Sequence, residues 1–429
     1  MTEANLIGAS APRRVPADRC KATGTKARFG RLLAAVGSML LLVAASRGKD
    51  TASVTVPVVL DHNRMLVAAE IQRTDGSWRT VRLWIDTGNP SFYISQELAR
   101  DLGIDLLGAT ENTEVPPPTG VRIGGMPLDF RGVRSEVMFA PRWLFGAMHN
   151  DANLPSTVLQ RYQVVFDYPK RELTMAKPGS LKPRGVRSSA SVNPETGIIQ
   201  IDALIDGNSL SFALDSGASY SFMSGDVLAL LSRQHPNWPR ITGVLGCANM
   251  WGWWPPQEQT LPVMRLPEIL WGSTRLTDVG MVGVSEVSPG GPALGTWYSQ
   301  KTARPVGGFL GPNAFKAFRV EIDYANSAVY FEKGAAPDSH DMDLVGLTLR
   351  PEANGNYRVI GVAERHGRPA VAGVEPGDVL LHVGDLETTG ATMGTVVDAL
   401  RGKPGEIRIL VLERGDTRLR IEAKVERFL

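Results

Sequence analysis

Two stretches of the chain share one order of apolar and polar positions. Residues 81–95 read VRLWIDTGNPSFYIS and residues 210–224 read LSFALDSGASYSFMS, so each has an apolar run, then Asp, a hydroxyl residue and Gly, then a second apolar run. Asp-Gly dipeptides precede them, at 75–76 and 206–207. Apolar runs joined by Asp-Gly predict a β-hairpin. Each stretch is therefore predicted to end a hairpin in an Asp-Thr/Ser-Gly turn.

A second pair of segments repeats in the same order. Residues 158–168 read VLQRYQVVFDY and residues 314–324 read AFKAFRVEIDY, and a strand-like run follows each. Internal repeats of this length indicate duplicated structural units. The sequence therefore predicts two mostly β lobes, residues 50–185 and 190–335. The Pro-, Gly- and Ser-rich stretch 177–197 is the predicted joint between them.

The composition changes after the second lobe. Residues 332–341 form a polar linker, and residues 344–429 are predicted to form a small α/β module. Its strands are expected near residues 345–349, 357–363, 379–383, 407–412 and 419–423, with one helix over 392–400.

The N-terminal segment carries a charge and hydropathy pattern of its own. Seven basic and two acidic residues precede position 32, and a 14-residue apolar run follows over 32–45. That pattern predicts a secretory signal within residues 1–46, because the run is short for a membrane span. An uncleaved membrane anchor and a buried core helix are the alternatives. The expected location is the periplasm or the exterior of a bacterial cell, with anchoring by this segment as a further option.

Charge and composition exclude several classes of protein. The formal net charge of +2 argues against a nucleic-acid binder. Cys20 lies in the signal region, which leaves Cys247 either as a small buried residue or as a nucleophile, with no intrachain disulfide in a mature form. The six histidines are scattered and show no metal-ligand spacing. Neither a metal nor a cofactor is expected.

The repeated Asp residues are the candidate catalytic groups. Two neighbouring carboxyls that share one proton can hydrolyse a peptide bond, one by taking a proton from water and the other by polarising the carbonyl. Asp86 and Asp215 would form such a dyad if the two turns meet. In the alternative, both are ordinary turn residues. The supporting candidates are hydroxyls that brace the turns and glycines that shape them: Thr87, Gly88, Ser216 and Gly217.

Both lobes resemble retropepsin-like aspartic peptidases, the single-lobe relatives of pepsin. Besides the Asp-Thr/Ser-Gly turns, residues 308–311 read GFLG and precede a short helical pattern at 312–315, as in that family. The resemblance covers roughly residues 60–335. It implies retropepsin-like β-barrel lobes in a bilobal acid protease fold, an aspartic endopeptidase activity, polypeptide substrates and no cofactor.

The family resemblance also implies a hairpin flap over the substrate. In the second lobe, chain order places it at residues 241–260, with Trp251, Trp253 and Trp254 as substrate-binding candidates. A Trp-rich core plug and a membrane-touching loop are the alternatives.

The C-terminal module resembles a PDZ domain of the bacterial HtrA type. Residues 367–381 read GRPAVAGVEPGDVLL, the stretch that carries the likeness. The resemblance implies binding of a C-terminal peptide ligand by strand addition, with the carboxylate loop at Gly346, Leu347 and Thr348. The module would then recruit substrates or gate the peptidase. The alternative is a packing module without a ligand.

Asn89 departs from the family pattern, which usually has Ala or Ser after the glycine. Two rival hypotheses stay open, and this departure supports the first of them. The chain could be a catalytically inactive peptide-binding adaptor of the cell envelope. It could also be a dimer in which Asp215 pairs with Asp215 of a second copy. Lobe one also lacks a clean hydrophobic-hydrophobic-Gly element, for which residues 144–146 are an early candidate.

Overall fold

The computed structural model describes residues 52–110, 112–138, 151–249, 257–284, 287–288, 291–292, 294–365 and 367–429. These residues form a mostly β structure. The predicted signal segment, residues 1–46, lies outside them. Within the described residues, none of the helices has the length and apolar character needed to cross a membrane.

The N-terminal region, residues 52–176, is built from short strands. Its strands β1 to β11 are Ser53–Asp61, Arg64–Gln72, Trp78–Asp86, Phe92–Ser95, Glu114–Val115, Val121–Ile123, Met126–Pro127, Ser135–Met138, Ala152–Pro155, Gln163–Asp167 and Glu172–Ala176. Its helices α1 and α2 are Gln96–Asp101 and Ser156–Leu159.

The central region, residues 186–333, is similarly composed. Its strands β12 to β24 are Val186–Ser189, Ser191–Val192, Ile199–Ile205, Asn208–Leu214, Ser221–Ser224, Arg240–Thr242, Pro262–Trp271, Thr274–Val284, Val287–Ser288, Gly291–Pro292, Gly308–Leu310, Phe318–Asp323 and Ala328–Lys333. Its helices α3 to α5 are Gly225–Gln234, Leu294–Ser299 and Pro312–Phe315. Single 3₁₀ turns span Gly246–Ala248, Gln257–Thr260 and Tyr324–Asn326.

Strand pairing around the two Asp turns follows one scheme in both regions. In the N-terminal region, β2 and β3 form the predicted hairpin, β3 runs parallel to β9, β9 is antiparallel to β4, and β4 is parallel to β8. In the central region, β14 and β15 form the hairpin, β15 is parallel to β22, β22 is antiparallel to β16, and β16 is parallel to β19. A short strand, β9 or β22, therefore lies between the two strands that flank each Asp turn.

One sheet joins the two regions. Strands β12, β24, β23, β10, β11 and β1 are neighbours in that order, and β10 pairs with β23 from Gln163 opposite Asp323 to Asp167 opposite Arg319. The predicted joint at 177–197 contains β12, which pairs with β24, and β13, which pairs with β14. The joint is therefore partly strand, because its backbone completes sheet edges in the central region.

The C-terminal region, residues 341–429, forms a separate sheet with one helix beside it. Its strands β25 to β34 are Asp343–Leu344, Leu347–Pro351, Tyr357–Val362, Glu364–Arg365, Arg368–Pro369, Val379–Val383, Leu386–Glu387, Ile407–Arg414, Thr417–Lys424 and Glu426–Arg427, and its helix α6 is Met393–Leu400. The main sheet has the order β26-β27-β30-β32-β33. The five expected strands and the helix lie within two residues of their predicted limits.

Two hydrophobic cores hold the three regions together. One combines buried side chains of the N-terminal and central regions, such as Leu83 and Leu310. The other combines the central and C-terminal regions, such as Phe309 and Leu349. Ion pairs also fix the polar linker. Its Asp338 pairs with Lys316 of the central region and with Arg401 of the C-terminal region.

Candidate active site

The Asp turns of the two regions meet. Asp86 ends β3, and Asp215 directly follows β15. A Cβ atom added to Gly88 would lie 2.6 Å from Oδ1 of Asp215, and one added to Gly217 would lie 2.5 Å from Cγ of Asp86. Each carboxyl thus lies against the backbone of the other turn, where any side chain would collide with it. Glycine is required at both positions by this close approach.

Reciprocal hydrogen bonds connect the two turns. The Thr87 hydroxyl donates to the Leu214 carbonyl at 2.8 Å and accepts the Ser216 amide at 2.9 Å. In the same way, the Ser216 hydroxyl donates to the Ile85 carbonyl at 3.0 Å and accepts the Thr87 amide at 3.1 Å. All of these groups are buried, so the bonds fix the separation of the turns in a site where water cannot replace them.

The two carboxyls, named the carboxyl pair below, differ in their hydrogen-bond donors. Asp86 Oδ1 accepts the Gly88 amide at 3.0 Å, and the Asn153 side chain also bonds the Asp86 carboxyl. Asp215 Oδ1 accepts the amides of Gly217, at 2.8 Å, and Ala218, at 3.0 Å. Its Oδ2 accepts the hydroxyl of a buried tyrosine on α4, Tyr298, at 2.6 Å.

The carboxyl pair is arranged to hold a proton. Asp86 and Asp215 are only 3% and 7% exposed. Burial, together with the charge of Asp215, raises the pKa of Asp86 well above its usual range. Burial also raises the pKa of Asp215, but the Tyr298 hydroxyl and the turn amides oppose that rise. Because donors stabilise a carboxylate, Asp215 is the better anion and Asp86 is the better holder of the shared proton.

A buried arginine completes the surroundings of the pair. Arg64, at the start of β2, is 1% exposed, and its Nε donates to the Gly217 carbonyl at 2.6 Å. Burial lowers the pKa of Arg64 to about 10, while the carboxylates of Asp61, Asp215 and Asp86 act in the opposite direction. The guanidinium therefore remains charged at neutral pH and stabilises negative charge on the pair.

Sequence reasoning missed Tyr298, Asn153 and Arg64. Tyr298 and Asn153 follow their Asp turns by more than 60 residues, and no local pattern connects them to the site. For Arg64 a signal existed: a charged residue directly before the apolar run 65–69. An arginine at a buried strand end needs partners, so its position could have marked it.

Asn89 is held by its own turn. Its Oδ1 accepts the Ser91 amide at 3.0 Å, and its carbonyl accepts the amide and hydroxyl of Ser156. Asp86 still bonds the Gly88 amide in the same way that Asp215 bonds Gly217. With Asn89 in place, the first Asp turn therefore keeps the glycine-amide bond that the second turn has.

The short strand β9 takes the position in the N-terminal region that β22 takes in the central one. Leu154 pairs with Ile85, as Leu310 pairs with Leu214. The earlier candidate for this element, residues 144–146, lies outside the described residues. Asn153 is a residue of β9. The use of β9 in this position therefore places the Asn153 amide beside Asp86.

The predicted flap is only partly described. Trp251, Trp253 and Trp254 lie outside the described residues, so their role stays a prediction. The segment before them, residues 244–249, extends onto the C-terminal region. A Cβ on Gly246 would lie 3.5 Å from Leu344 and 3.6 Å from Val397.

The predicted peptide-binding loop of the C-terminal region is covered by this segment. Leu347 and Thr348 are each 1% exposed, and a Cβ on Gly346 would contact Phe428 at 2.6 Å. The Thr348 hydroxyl donates to the Val244 carbonyl at 2.8 Å, and the Asn249 amide donates to the carbonyl of Leu349. An external peptide at Thr348 would therefore have to displace residues 244–249, whereas Gly346 is covered from within the C-terminal region by Phe428. Peptide binding at this loop stays a prediction.

Cys247 lies within the same covering segment. It is buried, and burial raises the pKa of its thiol to about 12. A thiol in that state is a poor nucleophile. Among the described residues, no group of three or more His, Cys, Asp or Glu side chains is placed to hold a metal ion.

No family model matches the chain, and no curated protein matches it significantly.

Proposed function

We propose that the chain is an aspartic endopeptidase that hydrolyses peptide bonds with Asp86, Asp215 and an activated water. The observation that carries the proposal is the carboxyl pair. Two buried carboxyls meet through turns that are hydrogen-bonded to each other, and their pKa values are raised by burial. Because the charge of Asp215 acts on Asp86, the two carboxyls resist ionising together and share a proton, and this pair of states is what acid–base hydrolysis requires.

The chemistry follows from the donors on each carboxyl. Asp215, as the anion, accepts a proton from water while the water oxygen bonds to the carbonyl carbon. Asp86 donates its proton to the carbonyl oxygen, which gives a neutral gem-diol. Asp215 then protonates the amide nitrogen as the C–N bond breaks, and Asp86 takes a proton from one gem-diol hydroxyl. Both carboxyls return to their starting states.

We further infer that the N-terminal and central regions are duplicated, retropepsin-like lobes of a bilobal acid protease fold. The equivalent strand pairings around β9 and β22 support this inference. So does the sheet that joins β10 to β23, which lies between the two regions. The substrate would be an extended polypeptide bound over the carboxyl pair. With the signal predicted at residues 1–46, its place of action would be the bacterial periplasm or exterior.

We infer that the C-terminal region is a PDZ domain of the HtrA type and that it gates the peptidase. Gating is favoured over recruitment because residues 244–249 cover β26 and reach α6. Those residues are themselves part of the predicted flap, residues 241–260. A peptide that displaced them from the C-terminal region would change the attachment of the flap.

Cleavage of an unbiased peptide mixture, read by mass spectrometry from acid to neutral pH, tests the proposed activity. The parent is compared with Asp86→Asn and Asp215→Asn, and with Asp416→Asn in an exposed turn as the matched control. We expect both site variants to lose at least about 10³-fold in kcat/KM, because residues that act as a unit fail together. The control should cleave like the parent.

Other outcomes assign other functions. Peptide binding without cleavage at any pH would indicate the inactive adaptor. Activity that survives Asp86→Asn but not Asp215→Asn, in a protein of dimeric mass, would indicate a pair formed between two copies.

A further inference from the structure

The turn between β1 and β2 contacts both other regions of the protein. It consists of Asp61, His62, Asn63 and Arg64, and its two central residues have φ values of 50° and 66°. This is the backbone that a tight two-residue hairpin requires. Asp61, His62 and Arg64 are buried, although a hairpin tip of polar residues would ordinarily lie in water. The burial therefore indicates that the tip serves the surrounding structure.

Asp61 binds the start of the C-terminal helix. Its Oδ1 accepts the Thr392 hydroxyl at 2.5 Å and the Gly394 amide at 3.1 Å. Thr392 also caps α6 through the Thr395 amide. A side chain of the N-terminal region thus provides an acceptor at the first turn of a helix in the C-terminal region, where backbone donors are otherwise unpaired.

His62 connects the turn to the segment that covers the C-terminal region. Its Nδ1 lies 3.1 Å from Nη1 of Arg64, and its Nε2 lies 2.9 Å from the Gly246 carbonyl. A guanidinium can only donate, so Nδ1 accepts and the proton is on Nε2, which donates to Gly246. Burial and the Arg64 charge hold the pKa of His62 well below its usual range, so the ring is neutral.

Asn63 and Arg64 bind the loop that carries Asp215. The Asn63 amide donates to the Ser219 carbonyl at 2.9 Å, and Arg64 Nε donates to the Gly217 carbonyl at 2.6 Å. Two of the carbonyls in the loop between β15 and β16, residues 215–220, are therefore held by this one turn. The Gly217 carbonyl and the Ala218 N–H belong to one peptide group, and that N–H donates to Oδ1 of Asp215 at 3.0 Å.

We propose that Arg64 is a positioning residue of the carboxyl pair and that the turn Asp61–Arg64 couples the pair to the docking of helix α6. The proposal rests on the proposed peptidase function for its kinetic consequences. The effect of Arg64 and of α6 on the carboxyl pair can also be measured without turnover, from the titration of the two carboxyls.

The charge of Arg64 gives the proposal a distinctive readout. The charged and titratable groups that face Arg64 or the pair include Asp61, His62, Asp86, Asp215, Tyr93, Tyr168, Cys247 and Tyr298. Arg64 is the cation in this set, and it lowers the pKa values of both carboxyls. Without its charge, both carboxyls would hold protons to higher pH, and the pH profile of turnover would move upward. A residue that served only for packing would not move it.

Arg64→Gln and Arg64→Lys separate charge from hydrogen bonding. Arg64→Gln keeps a donor and loses the charge, so we expect its pH–rate profile to move to higher pH and its rate at the acid end to fall about tenfold. Arg64→Lys keeps the charge, so its profile should stay in place while kcat falls. Arg122→Gln, which removes an arginine paired with Glu70 on the surface of the sheet, is the control and should match the parent.

Carbon-13 NMR titration of the Asp86 and Asp215 carboxyls makes the test independent of turnover. The signals are assigned by their loss in Asp86→Asn and Asp215→Asn. If the parent cleaves nothing, the proposed function fails, but an upward shift of these titrations in Arg64→Gln alone would still support the role of Arg64. Unchanged titrations in folded Arg64→Gln would overturn it. If Arg64→Gln does not fold, Asp61→Asn is measured in its place. We expect the pKa values of the Asp86 and Asp215 carboxyls to fall in that variant, because a negative charge beside Arg64 is removed.

A substitution in the C-terminal helix tests the coupling. A Cβ on Gly394 would lie 2.7 Å from the His62 amide nitrogen and 2.9 Å from Asp61 Cγ, so Gly394→Ala should displace the turn. We expect kcat to fall about tenfold and the Asp215 titration to shift, whereas Thr417→Ala, at an exposed position of β33 in the same region, should change neither. A folded Gly394→Ala protein with the parent's kcat and carboxyl titrations would overturn the coupling.

Discussion

The N-terminal and central regions place their Asp residues with the same backbone and surround them with different side chains. Both turns use a glycine amide on Oδ1, and both hydroxyls bond across the interface. Asp215 then gains a second amide and a tyrosine hydroxyl, whereas Asp86 has the Asn153 side chain. A shared backbone fixes where the carboxyls lie, and the unshared side chains decide which of them holds the proton.

The same comparison explains why Asn89 is tolerated. In the central region, Ala218 contributes its amide to Asp215. In the N-terminal region, the corresponding Asn89 side chain bonds forward to the Ser91 amide. Both turns are stabilised by a carboxylate that accepts a glycine amide, and the first turn adds the Asn89 side chain where the second adds the Ala218 amide. The two regions reach equivalent turns by different local bonds.

The largest expected effect comes from breaking the symmetric close approach. Gly88→Ala and Gly217→Ala should each lower kcat by about 10²-fold, because a Cβ at either position displaces the opposing carboxyl. Each should also destabilise the fold by about 1–3 kcal/mol through overpacking. Steady-state kinetics and denaturant unfolding measure both. Gly307→Ala is the control, since its Cβ would meet only the Ser211 carbonyl, at 3.9 Å. If Gly307→Ala lost as much kcat and stability as the two site variants, the close approach of the turns would not explain the losses.

A smaller and asymmetric effect should follow from removing one donor on each side. Tyr298→Phe takes a donor from ionised Asp215 and raises its pKa, so the acid limb of the pH–rate profile should move to higher pH. The rate at the acid end should fall about tenfold, the effect of one charged hydrogen bond. Asn153→Ala raises the pKa of Asp86, so that the shared proton is kept to higher pH and the alkaline limb moves upward. Exchanged behaviour of the two variants would reverse the assignment of acid and base.

The smallest effect is expected at Asn89. Asn89→Ala gives the first turn the residue found in the second, and removes the bond to the Ser91 amide. We expect a change in kcat/KM below about threefold and a loss of about 1 kcal/mol in unfolding free energy. Peptide cleavage and thermal unfolding are the measurements. A tenfold gain in activity would instead show that Asn89 impairs the first turn.

Local sequence patterns predicted the strands well where strand and turn formation depends on residues that are close together in the sequence. The Asp-Gly dipeptides at 75–76 and 206–207 each close a hairpin that leads to a candidate Asp. Alternating apolar residues also located the strands of the C-terminal region within two residues. The weaker cases were the joint, where β12 and β13 form on sheet edges, and the first-lobe element, where β9 replaces the expected motif. In both cases, the strand forms by pairing with another strand of the folded sheet, and the local sequence does not show which strand that will be.

The sequence by itself determined the two Asp-Thr/Ser-Gly turns, their hairpins and the order of the regions, because these arise from alternation and turn residues within about 15 positions. Only the tertiary structure decided that Arg64 and Tyr298 reach the carboxyl pair, and that residues 244–249 cover β26. Those contacts join positions 83 to 153 residues apart. These contacts are strong because they are buried, away from competing water. The spacing of residues along the chain does not show which buried groups will be in contact.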